Sequence, residues 1–262
     1  MNDNQNSQMA EFLMFGYFGY TSNEISDMCP CCRIRMCANR AYLDLNRTIE
    51  FEDGASEKDK ESFRNACCSI LVQRISGIME SRELFSESNE GKQERFDKMH
   101  FDICKKIECF ANEQKIVRKE KGKKRFYYGQ AQKWLNMTLK YMELLDLNNT
   151  RSIRELLHIP IDRYIFRAAS CSEKSQYSRA QHSLRKKIAP ERHLEEDAAK
   201  KKVFYSDERA QPWSKLNQPD YEQLQQDLRV AIKERQEDWD DIKCPLDWEA
   251  KAWIEQAQLE RK

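Results

Sequence analysis

Apolar residues recur at helical spacing along most of this chain. Between about 57 and 82, Phe63, Cys67, Ile70, Leu71, Ile75, Ile78 and Met79 fall three or four positions apart, on one face of an amphipathic helix. A second helix is predicted over about 92–112, with Phe96, Met99, Ile103, Ile107 and Phe110 inward. An earlier one is predicted from about Arg35 to Ile49, with Tyr42 and Leu45 facing the core. Over about 130–146 the pattern changes. Trp134, Leu135, Met137, Leu139, Tyr141, Met142 and Leu145 run nearly all the way round, as in a helix enclosed on most sides at the centre of a fold. A short helix near 151–157 leads into His158-Ile159-Pro160-Ile161-Asp162. Pro160 biases the residue before it to extended geometry, and Asp162 stands where the next helix needs an N-cap. Closing helices are predicted over about 219–238, with Tyr221, Leu224, Leu228 and Ile232 inward, and over about 245–259, with Pro245 in the first turn. Residues 1–10 are polar and read as a frayed end. Residues 171–202 are basic and poor in large apolar side chains, as in a linker, a loop or a solvated helix.

With 7 Gly and 6 Pro in 262 residues there is little turn chemistry for a β-rich fold. The fold class is therefore all-α: a helical bundle with a central buried helix and a cleft. The expected division is an N-terminal helical subdomain over 1–114 and a core with its closing helices over 115–262. No internal repeat is present. No basic n-region opens the chain, and EFLMFGYFGY (11–20) is too short and too polar to span a bilayer. A soluble cytoplasmic protein with reduced thiols is expected, with no membrane partner. The 10 cysteines then read mainly as small core hydrophobes, Cys67, Cys68, Cys104, Cys109, Cys171 and Cys244 among them. Cys29 and Cys32 have Cys-x-x-Cys spacing and Cys37 is a candidate third ligand, but structural zinc usually takes a second such pair, and none exists. No metal site is expected.

The net charge of +1 conceals an uneven distribution. Seven Lys and Arg between Lys115 and Arg125 run directly into Phe126, Tyr127 and Tyr128. Cations neutralise phosphates and aromatic faces stack on bases, so this composition suits nucleic acid. Lys121, Lys123, Lys124, Arg125, Tyr127 and Tyr128 are the candidate contacts, with Trp213, after Pro212, a candidate stacking residue. The other reading of the block is a solvated charged loop. Trp248 and Trp253, at helical spacing, read as core or interface residues. Residues 220–262 carry 12 acids against 7 bases, which leaves room for a protein partner on the acidic C-terminal helices. No phosphate-binding glycine loop, dinucleotide fingerprint or zinc-protease motif occurs, so no cofactor is implied. His100 reads as a satisfied core histidine. His158, in the turn before Pro160, is a candidate proton shuttle.

Lys133 lies just inside the central helix, where desolvation would make its amine a better nucleophile, and Asp162 follows as an acid placed to assist it. The plainer alternative has Lys133 reaching solvent along its own stem and Asp162 acting only as an N-cap. Gly129-Gln130-Ala131-Gln132-Lys133, followed by Ile159-Pro160-Ile161-Asp162, resembles the core of helix-hairpin-helix DNA glycosylases of the 8-oxoguanine type. There a Gly-x-Gly-x-Lys hairpin opens a buried helix, and a Val-Pro-Val-Asp segment follows. Residues from about 126 to 170 carry the resemblance. Ala131 stands for the second glycine, and Tyr127-Tyr128 for the usual Leu-Pro. The resemblance implies a base-excision hydrolase and lyase of DNA repair that acts on a flipped base. In it Lys133 is the nucleophile, Asp162 assists, and Gly129 and Gln130 approach a DNA phosphate. The alternative is a non-catalytic helical module that binds nucleic acid or protein.

Overall fold

The computed structural model describes residues 3–86, 90–119, 126–170, 212–234, 242–259 and 261. Nine α-helices lie among them: α1 (Asp3–Phe18), α2 (Ser22–Asp27), α3 (Pro30–Leu45), α4 (Glu57–Met79), α5 (Lys92–Glu113), α6 (Tyr128–Leu144), α7 (Arg163–Ser170), α8 (Gln218–Glu234) and α9 (Pro245–Leu259). The protein is all-α. Short 3-10 turns follow α3 (Asn46–Thr48), precede α7 (Thr150–Leu156) and precede α8 (Trp213–Lys215). The basic stretch after α5 holds one extended contact, an antiparallel bridge between Phe51 and Val117. The expected linker over 171–202 lies outside the described residues. No helix among the described residues is long and apolar enough to cross a membrane.

Two expectations are corrected. Residues 3–18 form a helix rather than a frayed end, and its Tyr17 hydroxyl meets that of Tyr141 at 2.8 Å. The next expected helix, from Arg35, begins earlier, at Pro30. Cys29 caps it and Pro30 sits in its first turn, a start signal that an apolar count misses. Elsewhere the local chemistry is plain. Ser56 and Asp59 close a capping box on α4. After α6 the chain turns through left-handed Asp146, Asn148 and Asn149, residue types that tolerate positive φ.

Helix α6 is the axis of the fold. It packs most closely on α3, with α5, α8 and the 213–215 turn around it. Every residue from Tyr128 to Leu139 is buried. One hydrophobic core runs from Ile25 to Ala252, so the α3–α6 contact spans the expected division near residue 114. Several buried polar side chains of α6 are paired inside the protein, as burial requires, while the buried Tyr128 hydroxyl has no hydrogen-bond partner among the described residues. The Trp134 indole donates to the Ala38 carbonyl at 2.9 Å, and Thr138 to the Trp134 carbonyl at 2.7 Å.

Candidate active site

The segment from Leu157 to Ile161 is buried, belongs to no helix, and pairs with no strand among the described residues. Side-chain amides satisfy its backbone instead. Gln132 donates to the Ile161 carbonyl at 3.0 Å and accepts the Ile161 N–H at 3.3 Å. Gln225 treats Ile159 the same way, at 2.7 and 3.1 Å. This lashing brings Asp162 to the side of α6 one residue along from Gln132, where Lys133 emerges.

Lys133 Nζ lies 3.0 Å from Asp162 Oδ2. The Trp253 indole donates to the same oxygen at 3.1 Å. Asp162 Oδ1 accepts the Ile165 N–H at 3.0 Å, so the residue also caps α7. The Lys133 side chain is 5% exposed and that of Asp162 17%. Burial alone would raise the Asp162 carboxyl. The Lys133 ammonium, the Ile165 N–H and the Trp253 indole outweigh it and hold the carboxylate below the usual range.

Both side chains line a cleft of about 1120 Å³. Leu13, Met14, Tyr17 and Phe18 of α1 form one wall. Met137, Lys140 and Tyr141 of α6, Tyr164 of α7, Trp213 and Trp253 also line it, with the charged Asp44, Arg47, Arg163 and Glu249 among its other neighbours. Tyr164 and Trp253 meet edge to face at 4.9 Å. Lys140 is paired with Glu249, and the Tyr141 hydroxyl donates to Asp44. The cleft thus combines aromatic and apolar walls with charged side chains, the Lys133–Asp162 pair among them.

Among the other expected site residues that the structure describes, Trp213 lines the cleft and the rest do not. Lys121, Lys123, Lys124 and Arg125 lie outside the described residues. Tyr127 is half-buried, with Lys215 Nζ 5.9 Å from its ring centre. Tyr128 is buried, its ring 5.5 Å from that of Tyr221. Gly129 lies inside α6 rather than in a hairpin turn. Its N–H donates to the Leu216 carbonyl at 2.9 Å, and a Cβ there would sit 2.2 Å from the Trp213 carbonyl oxygen. Gln130 is buried, accepts the Tyr127 N–H at 2.8 Å and donates to Thr48. The backbone and side-chain groups of Gly129 and Gln130 are therefore turned to protein and not to a phosphate. Trp213 is half-buried on the cleft.

His158 does not line the cleft. It belongs to a buried network behind it. Its Nε2 donates to Asp97 at 2.8 Å and its Nδ1 accepts the Tyr221 hydroxyl at 2.8 Å. Burial pushes its pKa down to about 4, so the ring is neutral with both nitrogens engaged, which removes it as a shuttle for Lys133. His100 is buried in the same network, 2.6 Å from Asn136 Oδ1. Cys37 is buried while Cys29 and Cys32 are exposed, so these three thiols do not gather. Among the described residues no three His, Cys, Asp or Glu side chains are placed to hold a metal ion.

Nothing in the residue pattern points to Trp253 at Asp162 or to Tyr164 beside it. A tryptophan at helical spacing is ordinarily core, and only the packing of α9 on α7 turns this one to the carboxylate. Fold and site together define an all-α protein with a half-enclosed lysine–aspartate pair at an aromatic cleft. No protein-family model, curated protein or solved structure matches the chain.

Proposed function

We propose that this protein excises damaged or modified bases from DNA, as a glycosylase with lyase chemistry carried by Lys133. The observation that supports the reading is the 3.0 Å meeting of Lys133 and Asp162 on an aromatic cleft, at the two positions the motif resemblance marks. A base swung out of the duplex would enter between aromatic walls, which suit stacking. Asp162 takes a proton from the Lys133 ammonium, and Nζ attacks C1′ of the sugar. The C1′–N bond breaks and its electron pair leaves with the base, which takes up the proton. Nζ then passes a proton to O4′ as the C1′–O4′ bond breaks, which opens the sugar ring and leaves a protonated imine between Nζ and C1′. Lys121, Lys123, Lys124 and Arg125 would neutralise the flanking phosphates.

The test is borohydride trapping on duplexes bearing oxidised, alkylated and deaminated bases. A protein–DNA adduct is expected on at least one lesion. Lys133→Gln should lose it while still binding DNA, and Asp162→Asn should react slowly. No adduct and no base release across the panel, or full activity in Lys133→Gln, ends the reading. The binding-module alternative has its own support. Met9, Phe12, Leu13 and Phe15 of α1 are exposed apolar side chains suited to a protein partner.

A further inference from the structure

The first turn of α3 places three thiols, Cys29, Cys31 and Cys32, at the surface, away from the cleft. Cys29 is the N-cap. Its sulfur accepts the Cys32 backbone N–H at 3.2 Å, and Pro30 follows in the first turn. Residues three apart share a helix face, and the Cys29 and Cys32 sulfurs lie 2.7 Å apart. Cys31 points away, 3.9 Å from Ser76 Oγ. The turn is braced on both sides. Arg33 donates to the Ile25 and Ser26 carbonyls at 3.0 and 2.6 Å, and Asn148 to the Pro30 carbonyl at 3.2 Å. The buried thiols differ in kind. Burial pushes Cys37 and Cys68 up to about 12 and Cys244 to about 11, where little reactive thiolate forms.

We propose that Cys29 and Cys32 are a redox-active dithiol that closes to a disulfide by exchange with small-molecule disulfides of the glutathione class. The helix start supplies the chemistry. Backbone N–H groups and the positive end of the helix dipole favour a thiolate at the N-cap. The Cys32 thiol, and then the Cys32 N–H, hold Cys29 below the usual thiol range, while the same contact raises Cys32. Cys29 is accordingly the attacking sulfur and Cys32 the resolving one. Cys29 releases its proton to water and attacks one sulfur of oxidised glutathione. That S–S bond breaks, and one glutathione thiolate leaves and is protonated. Cys32, its proton also lost to water, attacks Cys29 Sγ in the mixed disulfide and expels the second glutathione thiolate. Two protein thiols are oxidised and one glutathione disulfide is reduced to two thiols.

The full chain, equilibrated across ratios of reduced to oxidised glutathione, then acid-quenched, alkylated and peptide-mapped, tests the assignment. A Cys29–Cys32 disulfide should form, its occupancy set by the square of the reduced concentration over the oxidised one. Cys31→Ser should leave that curve in place. Cys32→Ser should stop at a glutathione adduct on Cys29. Cys29→Ser, which keeps a side-chain acceptor at the N-cap and hence the helix start, should form no Cys29–Cys32 bond or adduct. Stable glutathione adducts without an internal disulfide in the wild-type chain, or a disulfide that needs Cys31, overturn the proposal. The readout involves neither DNA nor Lys133, so it stands or falls apart from base excision.

Discussion

At Asp162 one carboxylate oxygen holds the start of α7 while the other faces Lys133 and Trp253. The two members of the pair are therefore unequal. Without Lys133 the carboxylate keeps the Ile165 N–H and the Trp253 indole. Without the Asp162 charge, an ammonium that is 5% exposed loses its hydrogen-bonding carboxylate. Removing one member of a buried pair typically costs about 3–5 kcal/mol when it strands the other charge. Asp162→Asn, which can still cap α7, should thus lower the chemical-denaturation midpoint more than Lys133→Met does. Equal losses would mean that Lys133 finds water or another acceptor. The candidate pair is legible in the sequence because an apolar-Pro-apolar-Asp segment after a buried helix marks both residues. α6 begins at Tyr128, so Lys133 lies beyond the first turn, where the dipole fades, and its amine faces a carboxylate instead.

Among elements, the junction of α6 with the 213–216 turn rests on Gly129. Helix propensity alone would favour alanine there by about 1 kcal/mol. The added Cβ would stand 2.2 Å from the Trp213 carbonyl oxygen and 3.0 Å from Ser214, both backbone, so the turn would have to move. Overpacking of that kind costs about 1–3 kcal/mol, which outweighs the propensity gain. Gly129→Ala should lower the thermal midpoint and increase proteolysis near Trp213; a midpoint that rises would show that the turn yields freely. The glycine is visible in the sequence, but its reason is not. The backbone it admits comes from more than eighty positions along the chain, and local pattern carries no information about that approach. Helix starts divide in the same way. Asp162 is legible as a cap, whereas Cys29 before Pro30 resembles a metal-ligand spacing until its sulfur is seen on the Cys32 N–H.

Across the whole molecule, the polar network behind the cleft ties α5, α6, α8 and the 157–161 segment together and makes stability depend on pH. His158 is held near 4, first by burial, against an ordinary value of 6.5. His100 is pushed down in the same direction, also by burial. Burial would raise Asp97, but hydrogen bonds from His158 and Arg229 outweigh it and hold the carboxylate well below its usual range. An unfolded chain binds protons on its histidines near pH 6.5 and the folded one does not, so acidification toward about 4 favours unfolding, and Asp97 adds a loss of the same sign lower still. The denaturation midpoint should fall steadily from about pH 7 to about 4.5, and a flat profile would contradict the network. The class of fold and most of the helices are readable from residue pattern alone, because a helix shows its buried face every three or four residues. The enclosure of α6 was equally legible, since its apolar residues go nearly all the way round. Which polar groups meet was decided only by the tertiary structure. Gln132 and Gln225 on the 159–161 backbone, His158 on Asp97 and Trp253 on Asp162 join residues far apart in the chain, and such contacts follow from the packing of whole helices rather than from the spacing of residues within one.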